Sequence, residues 1–333
     1  MQLKVSDNTK VYVACPVNKA TGGPELLHQF VFELRKLRIS AYIYYFDGRF
    51  KKKLVHPAYL NYKNPFVTKV DDSKDNILIV PELNTNLLAN FKYLYKVIWW
   101  LSVDNYKSWI NPKVFSKIYF YKLLFFYKFF NKEFIISKDY ALPIHHFVQS
   151  HYAFDYLLNN KIRKNFINYL SDYLNKDFIN FAAKKILKTN IVAYNPKKGY
   201  EFTKKLIIQS KKIKFVPIIN MNRSEVINLL LKSKVYIDFG NHPGKDRIPR
   251  EAAICGCCVI TNKSGSAKYF KDLPIRNEYK FDDIDKNISI ITNLINDCFA
   301  NYNDRVNDFI EYKQYIKLEH SRFIKNISEI FSN

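Results

Sequence analysis

Short runs of β-branched and aromatic residues alternate along the chain with longer segments in which apolar residues recur every three or four positions. The first run covers residues 10–16, and a helical pattern follows from Glu25, with Leu26 and Phe30 among its apolar positions. The next run covers residues 41–46. Strand, helix and strand in this order predict the start of a doubly wound parallel sheet.

The same alternation continues to the end of the chain. It predicts further strands over residues 76–82, 96–102, 166–174, 190–194, 215–219 and 235–239. No internal repeat or low-complexity linker interrupts the pattern, and 333 residues suit two domains, each with its own core. We therefore predict an α/β chain with a Rossmann-like N-terminal domain over 1–175 and a Rossmann-like C-terminal domain over 176–312.

The segment from Val235 to Ile260 combines a strand, a polar loop, a helix and a second strand. The loop over 240–247 contains Gly, Asn, His, Lys, Asp and Arg, and we expect the following helix to carry Glu251 in its first turn and to end at Gly256. A strand that ends in a loop and feeds a helix N-terminus is a usual site for an anionic ligand in α/β proteins.

The sequence "PREAAICGCCVI" in this segment resembles the nucleotide-sugar site of GT-B glycosyltransferases, especially those of family 4. Glu251 matches the second Glu of that family's E-x7-E motif, whereas Pro243 stands where the first Glu is expected. The resemblance implies two doubly wound domains facing a central cleft, the N-terminal one on the acceptor side and the C-terminal one binding the nucleotide-sugar donor. It also implies a C-terminal helix over 313–333 that crosses back to the N-terminal domain. It also implies that Glu251 binds the donor ribose and that the sugar keeps its anomeric configuration.

Two further motifs fit the same resemblance. "GGPE" at Gly22 to Glu25 matches a loop that lies across the cleft from the donor site, and Lys198 occupies the Lys position of the family's diphosphate clamp. An ordinary turn and a solvated lysine pair are the structural alternatives for these two motifs.

Charge on the departing diphosphate needs cationic partners, so basic residues beside Glu251 are the first candidates. We predict a catalytic set of Lys198, Lys245, Arg247 and Glu251. The other predicted donor-binding residues are Gly22, Gly23, Lys197, Gly199, Gly240, Asn241, His242, Gly244, Asp246, Arg250, Ser264 and Gly265.

Polar residues near other predicted strands supply acceptor-side candidates. These are Glu82, Ser102, Asp104, His145 and His146. An inverting enzyme would need a general base among them, whereas each histidine could instead be a hydrogen-bonded structural residue. No Asp-x-Asp pattern follows any of the strands predicted above, so we expect neither a metal nor another cofactor.

The formal net charge of +23 allows a second class, a basic and aromatic-rich nucleic-acid-binding protein. Lys, Asn, Ile, Phe and Tyr are abundant throughout, which is typical of AT-rich coding sequence, and no RNA-binding motif is present. We therefore expect a nucleotide sugar and a glycan or lipid-linked glycan as partners, with no nucleic acid. A catalytically inactive sugar-binding protein of the same fold is a third class, because Pro243 replaces the expected Glu.

Residues 112–132 are basic and rich in Phe and Tyr, which fits either a helix at a membrane surface or a core helix with solvated lysines. The cluster Cys255, Cys257 and Cys258 could bind a soft metal, but its place at a helix end before an apolar strand favours buried structural thiols. No signal-peptide run is present. We expect a cytoplasmic protein that contacts the inner face of the membrane through 112–132.

Overall fold

The computed structural model describes residues 2–49, 51–110, 144–182, 186–282 and 285–332. The chain divides into two compact units, Met1–Asp172 with Arg322–Asn333, and Tyr173–Ser321. The assignment of these units to acceptor and donor remains a prediction. The predicted basic helix over 112–132 lies outside the described residues.

Unit 1 contains a seven-stranded parallel sheet in the order β4-β3-β2-β5-β6-β7-β8. Its elements are β1 Leu3–Lys4, β2 Val11–Cys15, α1 Gly22–Lys36, β3 Ala41–Tyr45, β4 Phe66–Val67, β5 Ile77–Pro81, β6 Tyr95–Trp100, α2 Val103–Ile110, β7 His145–Val148, α3 His151–Asn159 and β8 Ile167–Tyr169. The strand predicted over 166–174 is therefore only three residues long. After the strand ends, the Leu170 carbonyl accepts a hydrogen bond from the Trp99 indole N–H at 3.1 Å.

The C-terminal segment belongs to unit 1. Helix α11, Glu319–Ile330, begins in unit 2, and its residues from Arg322 onward are part of unit 1. Strand β14, Phe331–Ser332, pairs in parallel with β1, and the Phe323 ring packs 6.3 Å from the Phe30 ring in the unit 1 core. The predicted return of the last helix to the N-terminal domain is confirmed.

Unit 2 contains a five-stranded parallel sheet in the order β10-β9-β11-β12-β13. Its elements are α4 Lys176–Ala182, β9 Thr189–Tyr194, α5 Tyr200–Gln209, β10 Lys214–Pro217, α6 Arg223–Lys232, β11 Ser233–Asp238, α7 Arg247–Ile254, β12 Cys258–Asn262, β13 Lys280–Phe281, α8 Ile288–Ala300, α9 Tyr302–Arg305 and α10 Ile310–Lys317. Two doubly wound sheets confirm the predicted α/β class.

The strand order of unit 2 reverses between β9 and β11. The chain continues from β9 to one edge and from β11 to the other, so the loops after these two strands diverge and leave a crevice at their carboxyl ends. Open α/β sheets bind ligands at such a switch point. Helix α7 stops as predicted: Gly256 has φ +86°, and the Cys257 N–H reaches back to the Ala252 carbonyl at 2.9 Å.

Lys188, the residue directly before β9, joins the C-terminal ends of two helices. Its ammonium donates to the carbonyls of Leu230 at 2.9 Å, Ser233 at 2.7 Å and Cys255 at 2.7 Å. These carbonyls lie at the C-terminal ends of α6 and α7, where intrahelical donors run out. One cation therefore satisfies three acceptors and favours the negative ends of both helix dipoles.

Lys188→Met should lower the free energy of unfolding by about 2 kcal/mol or more, because three carbonyls lose their ammonium donor and only the weak donor of the Cys257 thiol remains beside two of them. The exposed Lys212 provides the matched control, since Lys212→Met removes a charge of the same kind from the surface of the same unit. Urea denaturation of both variants measures the difference. Equal loss in the two variants would contradict the capping role.

Candidate functional site

Three loops meet at the carboxyl edge of the unit 2 sheet, following β9, β11 and β12. A Cβ on Gly199 would lie 2.3 Å from the Phe239 carbonyl oxygen, and one on Gly240 would lie 2.3 Å from the Lys198 Cβ. A Cβ on Gly265 would lie 2.1 Å from the His242 carbonyl oxygen. The predicted glycines therefore let the loop backbones approach one another more closely than any side chain permits.

Lys198 connects the first two loops. Its ammonium lies 2.8 Å and 2.9 Å from the two carboxylate oxygens of Asp246. Asp246 also accepts from His242 Nδ1 at 2.9 Å. Predicted donor-site residues from positions far apart in the sequence thus form one contiguous charged cluster.

Asp246 is the N-cap residue of α7, but its carboxylate makes no capping hydrogen bond. An N-cap Asp ordinarily accepts from a backbone N–H of the first turn. Here the carboxylate oxygens accept hydrogen bonds from Lys198 and His242 instead. The N-cap side chain therefore accepts no hydrogen bond from the first-turn N–H groups of Arg247 and Ile248. This arrangement suits an anion at this end of the helix.

Asp238, at the end of β11, completes the cluster and was missed by the sequence analysis. It accepts from the Tyr236 hydroxyl at 3.1 Å and from the Gly240 N–H at 3.2 Å, and its Oδ1 lies 4.0 Å from His242 Nε2. The available signal was an Asp as the last residue of an otherwise apolar strand. Such an Asp points toward the crevice at the carboxyl edge.

Burial and mutual contact shift the pKa values of this cluster in opposite directions. Burial disfavours charge on His242, but the Asp246 hydrogen bond and the charges of both carboxylates outweigh it and raise its pKa. Burial also opposes charge on Asp246, yet donation from His242 and the Lys198 charge lower its pKa overall. Burial dominates at Asp238 and raises its pKa.

Among the described residues, one group of side chains is arranged closely enough to surround a cation: Asp238, His242 and Asp246. Their ligand atoms lie within 4.8 Å of one another. The Lys198 ammonium already contacts both oxygens of Asp246, so this carboxylate is shared between Lys198 and His242. The cysteines of unit 2 are separate from this group: Cys255, Cys257 and Cys258 are buried in the core, as the structural interpretation predicts.

Lys245 and Arg250 form a different group. The Lys245 ammonium lies 2.8 Å from one carboxylate oxygen of Glu319, and an Arg250 guanidinium nitrogen lies 2.9 Å from the other. All three charged side chains are at most 2% exposed. The structure therefore places these two predicted phosphate-binding residues against a carboxylate, beyond the reach of a ligand.

Glu251 lies one turn later than predicted. Helix α7 begins at Arg247 and has no acidic residue in its first turn, so Glu251 belongs to the second turn. Pro249 occupies the first turn, where its missing N–H costs no hydrogen bond. Arg247 and Glu251 are both partly buried and both have polar partners.

The remaining donor candidates lie around the loop contacts. Asn262 donates to the carbonyls of Phe239 and Gly240, each at 3.0 Å, and fixes the start of the second loop. The Ser264 hydroxyl approaches the side chain of exposed Asn241 at 3.5 Å, and the Gly244 carbonyl accepts from Ser266. Lys197 is exposed, and its backbone N–H closes a turn on Asn195 at 3.0 Å.

In unit 1, some acceptor-side candidates share the carboxyl edge of the sheet. Glu82 directly follows β5, is 2% exposed and accepts from the Leu101 N–H at 2.9 Å. Ser102 follows β6 and accepts from the Asn105 N–H, while Asp104, in the first turn of α2, accepts from the Tyr152 hydroxyl. Exposed Gly22 and partly buried Gly23 begin α1.

The structure does not bring His145 and His146 to that edge. They are the first two residues of β7, at the amino end of the strand. His145 is hydrogen-bonded to Asn168, and His146 accepts from the Trp100 indole N–H at 3.0 Å. Burial lowers the pKa of His146 to about 3, so both residues fit the structural alternative.

No protein-family model and no curated protein matches the sequence. Solved structures do match it. Alr3699/HepE from Anabaena, solved in complex with UDP, shares 12% identity over 96% of this chain and 97% of its own, with a TM-score of 0.59. A glycosyltransferase from Rickettsia africae shares 15% identity over 96% and 98%, with a TM-score of 0.60. At such identities the likeness concerns the fold, which is the two-domain GT-B type.

Alanine at Gly199, Gly240 or Gly265 should destabilise unit 2 by roughly 2 kcal/mol or more, since the new methyl group meets backbone or Cβ atoms that cannot easily move. Gly23→Ala is the control, because its Cβ would lie 3.7 Å from the nearest atom, the Leu101 side chain. Thermal unfolding measures each variant. Wild-type stability in all three would contradict the close loop contacts.

Burial raises the pKa of Glu82 to about 7 from 4.5. The folded chain therefore holds this proton more tightly than the unfolded chain, and stability should decline as pH rises from about 4.5 to about 7, by about 3 kcal/mol in total. Glu82→Gln should remove this decline and exceed the wild type in stability at about pH 8. Urea denaturation at several pH values tests this. Parallel pH profiles for the two proteins would contradict it.

Proposed function

We propose that the chain is a glycosyltransferase that moves a sugar, of hexosyl or related type, from a nucleotide diphosphate to a growing cell-surface glycan of capsule or lipopolysaccharide type. One observation carries the proposal: the Lys198 ammonium lies where the loops after β9 and β11 converge, beside the N-terminus of α7. An ammonium beside a helix N-terminus at a switch point is suited to a diphosphate.

In the proposed reaction, an acceptor hydroxyl oxygen bonds to the anomeric carbon of the sugar as the bond from that carbon to the diphosphate breaks. Negative charge develops on the departing phosphate, which takes up the hydroxyl proton. Lys198 stabilises that charge, and the first-turn N–H groups of α7 act with it. Gly199 and Gly240 let the two loops pack against each other, which holds Lys198 beside the N-terminus of α7. The resemblance to family 4 assigns the donor ribose to Glu251.

Several finer features belong to the same proposal. UDP is the proposed donor nucleotide, because Alr3699/HepE, which shares the fold, was solved with UDP. Retention is proposed from the family 4 resemblance around Glu251, and a metal-independent site from the amino group of Lys198 beside the α7 N-terminus. The acceptor is a glycan or lipid-linked glycan at the cytoplasmic face of the membrane. Among the described helices, none combines the length and apolar character that a membrane crossing requires.

UDP should raise the unfolding temperature of the wild-type protein more than GDP, CMP, dTDP or ADP does. A ligand present at a hundred times its Kd stabilises the folded state by about 2.7 kcal/mol. Lys198→Met should lose most of the shift, because the diphosphate loses its cation. The matched control, Lys212→Met, should keep it.

Two outcomes would contradict the proposal. A nucleotide shift that survives Lys198→Met would place the nucleotide elsewhere on the chain. No shift with any nucleotide, together with stabilisation by RNA, would favour the nucleic-acid-binding class.

A further inference from the structure

The imidazole of His242 lies between two carboxylates. Its Nδ1 is 2.9 Å from an Asp246 oxygen, and its Nε2 is 4.0 Å from Asp238 Oδ1. The residue is 1% exposed, and Nε2 has no hydrogen-bond partner. This nitrogen is therefore inaccessible to bulk solvent.

A neutral imidazole does not fit this position. It carries one N–H and one lone pair. With the N–H on Nδ1, the lone pair of Nε2 faces the Asp238 carboxylate; with the N–H on Nε2, the lone pair of Nδ1 faces Asp246 at hydrogen-bond distance. Only the doubly protonated ring presents a hydrogen to both carboxylates.

With both carboxylates ionised, the charges of the cluster balance only in that state. Asp238 and Asp246 carry two negative charges, while Lys198 and a protonated His242 carry two positive ones. These are the charged side chains that act on His242, and the Tyr236 hydroxyl faces Asp238 from β11. Loss of the His242 proton would leave the cluster with a net negative charge, buried and beside the proposed phosphate site.

We propose that His242 is a positioning residue of the donor site: as an imidazolium bridging Asp238 and Asp246, it fixes the Asp246 carboxylate and thereby the Lys198 ammonium. The charge state of His242 stands independently of the enzyme's activity. The effect on the donor rests on the proposed function.

The consequence is a donor site that depends on pH. As pH rises through the pKa of His242, the cluster gains a negative charge that repels a diphosphate and holds Lys198 more strongly. Affinity for a nucleoside diphosphate should therefore fall on the alkaline side of neutrality, well before lysine titrates. The histidine also stabilises the fold below its unfolded pKa, and this contribution is lost as pH rises through its folded pKa.

The first test needs no ligand. The wild-type protein, labelled with ¹⁵N in its histidine rings, is titrated by NMR from about pH 5 to about pH 9, which spans the usual histidine range. His242→Asn identifies the His242 signals. We expect a doubly protonated ring at neutral pH in the wild type, and in Asp238→Asn a pKa lower by about one unit or more.

Tyr236→Phe is the control, because it removes the hydroxyl on the other Asp238 oxygen but leaves the carboxylate charge. A His242 ring that is neutral at pH 7, or whose pKa is the same in Asp238→Asn, would overturn the proposal. Loss of the His242 ring N–H signals on adding an equimolar amount of Zn²⁺, which is diamagnetic, would also overturn it, since a cation would then take the place of the proton.

The second test measures UDP affinity by calorimetry against pH. The wild type should lose about tenfold in affinity as His242 deprotonates, which corresponds to about 1.4 kcal/mol. His242→Asn should show no such change, because its amide can still donate to Asp246 but does not titrate. Asp238→Asn should move the decline to lower pH.

The two tests separate the two proposals. If His242 titrates as expected but UDP binds at no pH, the proposed function fails and the imidazolium bridge stands. If UDP binds with the same pH dependence in all three proteins, the positioning role fails and the proposed function stands.

Discussion

The contact between Lys198 and Asp246 is the interaction on which the site in unit 2 depends. It joins the loop after β9 to the loop after β11, which leave the sheet on opposite sides of its switch point. Gly199 and Gly240 allow the two loops to come close together, and this closeness brings Lys198 within contact of Asp246. Because Asp246 pairs with Lys198, its carboxylate does not cap α7, and the N-terminus of this helix is where we propose that the diphosphate binds.

The proposed donor site differs from a simple basic patch on a chain of net charge +23. Three cations near the start of α7 have carboxylate partners: Asp246 for Lys198, and Glu319 for Lys245 and Arg250. Buried charges require such pairing, since desolvation would otherwise expel them or neutralise them. The charges of these three cations are therefore compensated locally.

Much of the fold followed from sequence because strand and helix periodicities differ and alternate regularly. Glycine and the polar loops also marked the carboxyl edge, including Gly199, Gly240 and the end of α7 at Gly256. The partners of charged residues could not be predicted from the sequence, because these contacts join positions that are far apart in the chain. Lys188 caps two helices, and Glu319 pairs with Lys245. The prediction for His146 was wrong for a related reason. The sequence places this residue near the end of a strand but does not show whether that is the amino or the carboxyl end.

Hydrogen–deuterium exchange with and without UDP tests the central claim most directly, because it locates a ligand on the chain. A nucleoside diphosphate at the carboxyl edge of unit 2 should slow exchange in residues 195–199, 240–248 and 262–266, with little effect at the amino edge of the same sheet. Protection confined to unit 1, or exchange unchanged at saturating UDP, would contradict the account.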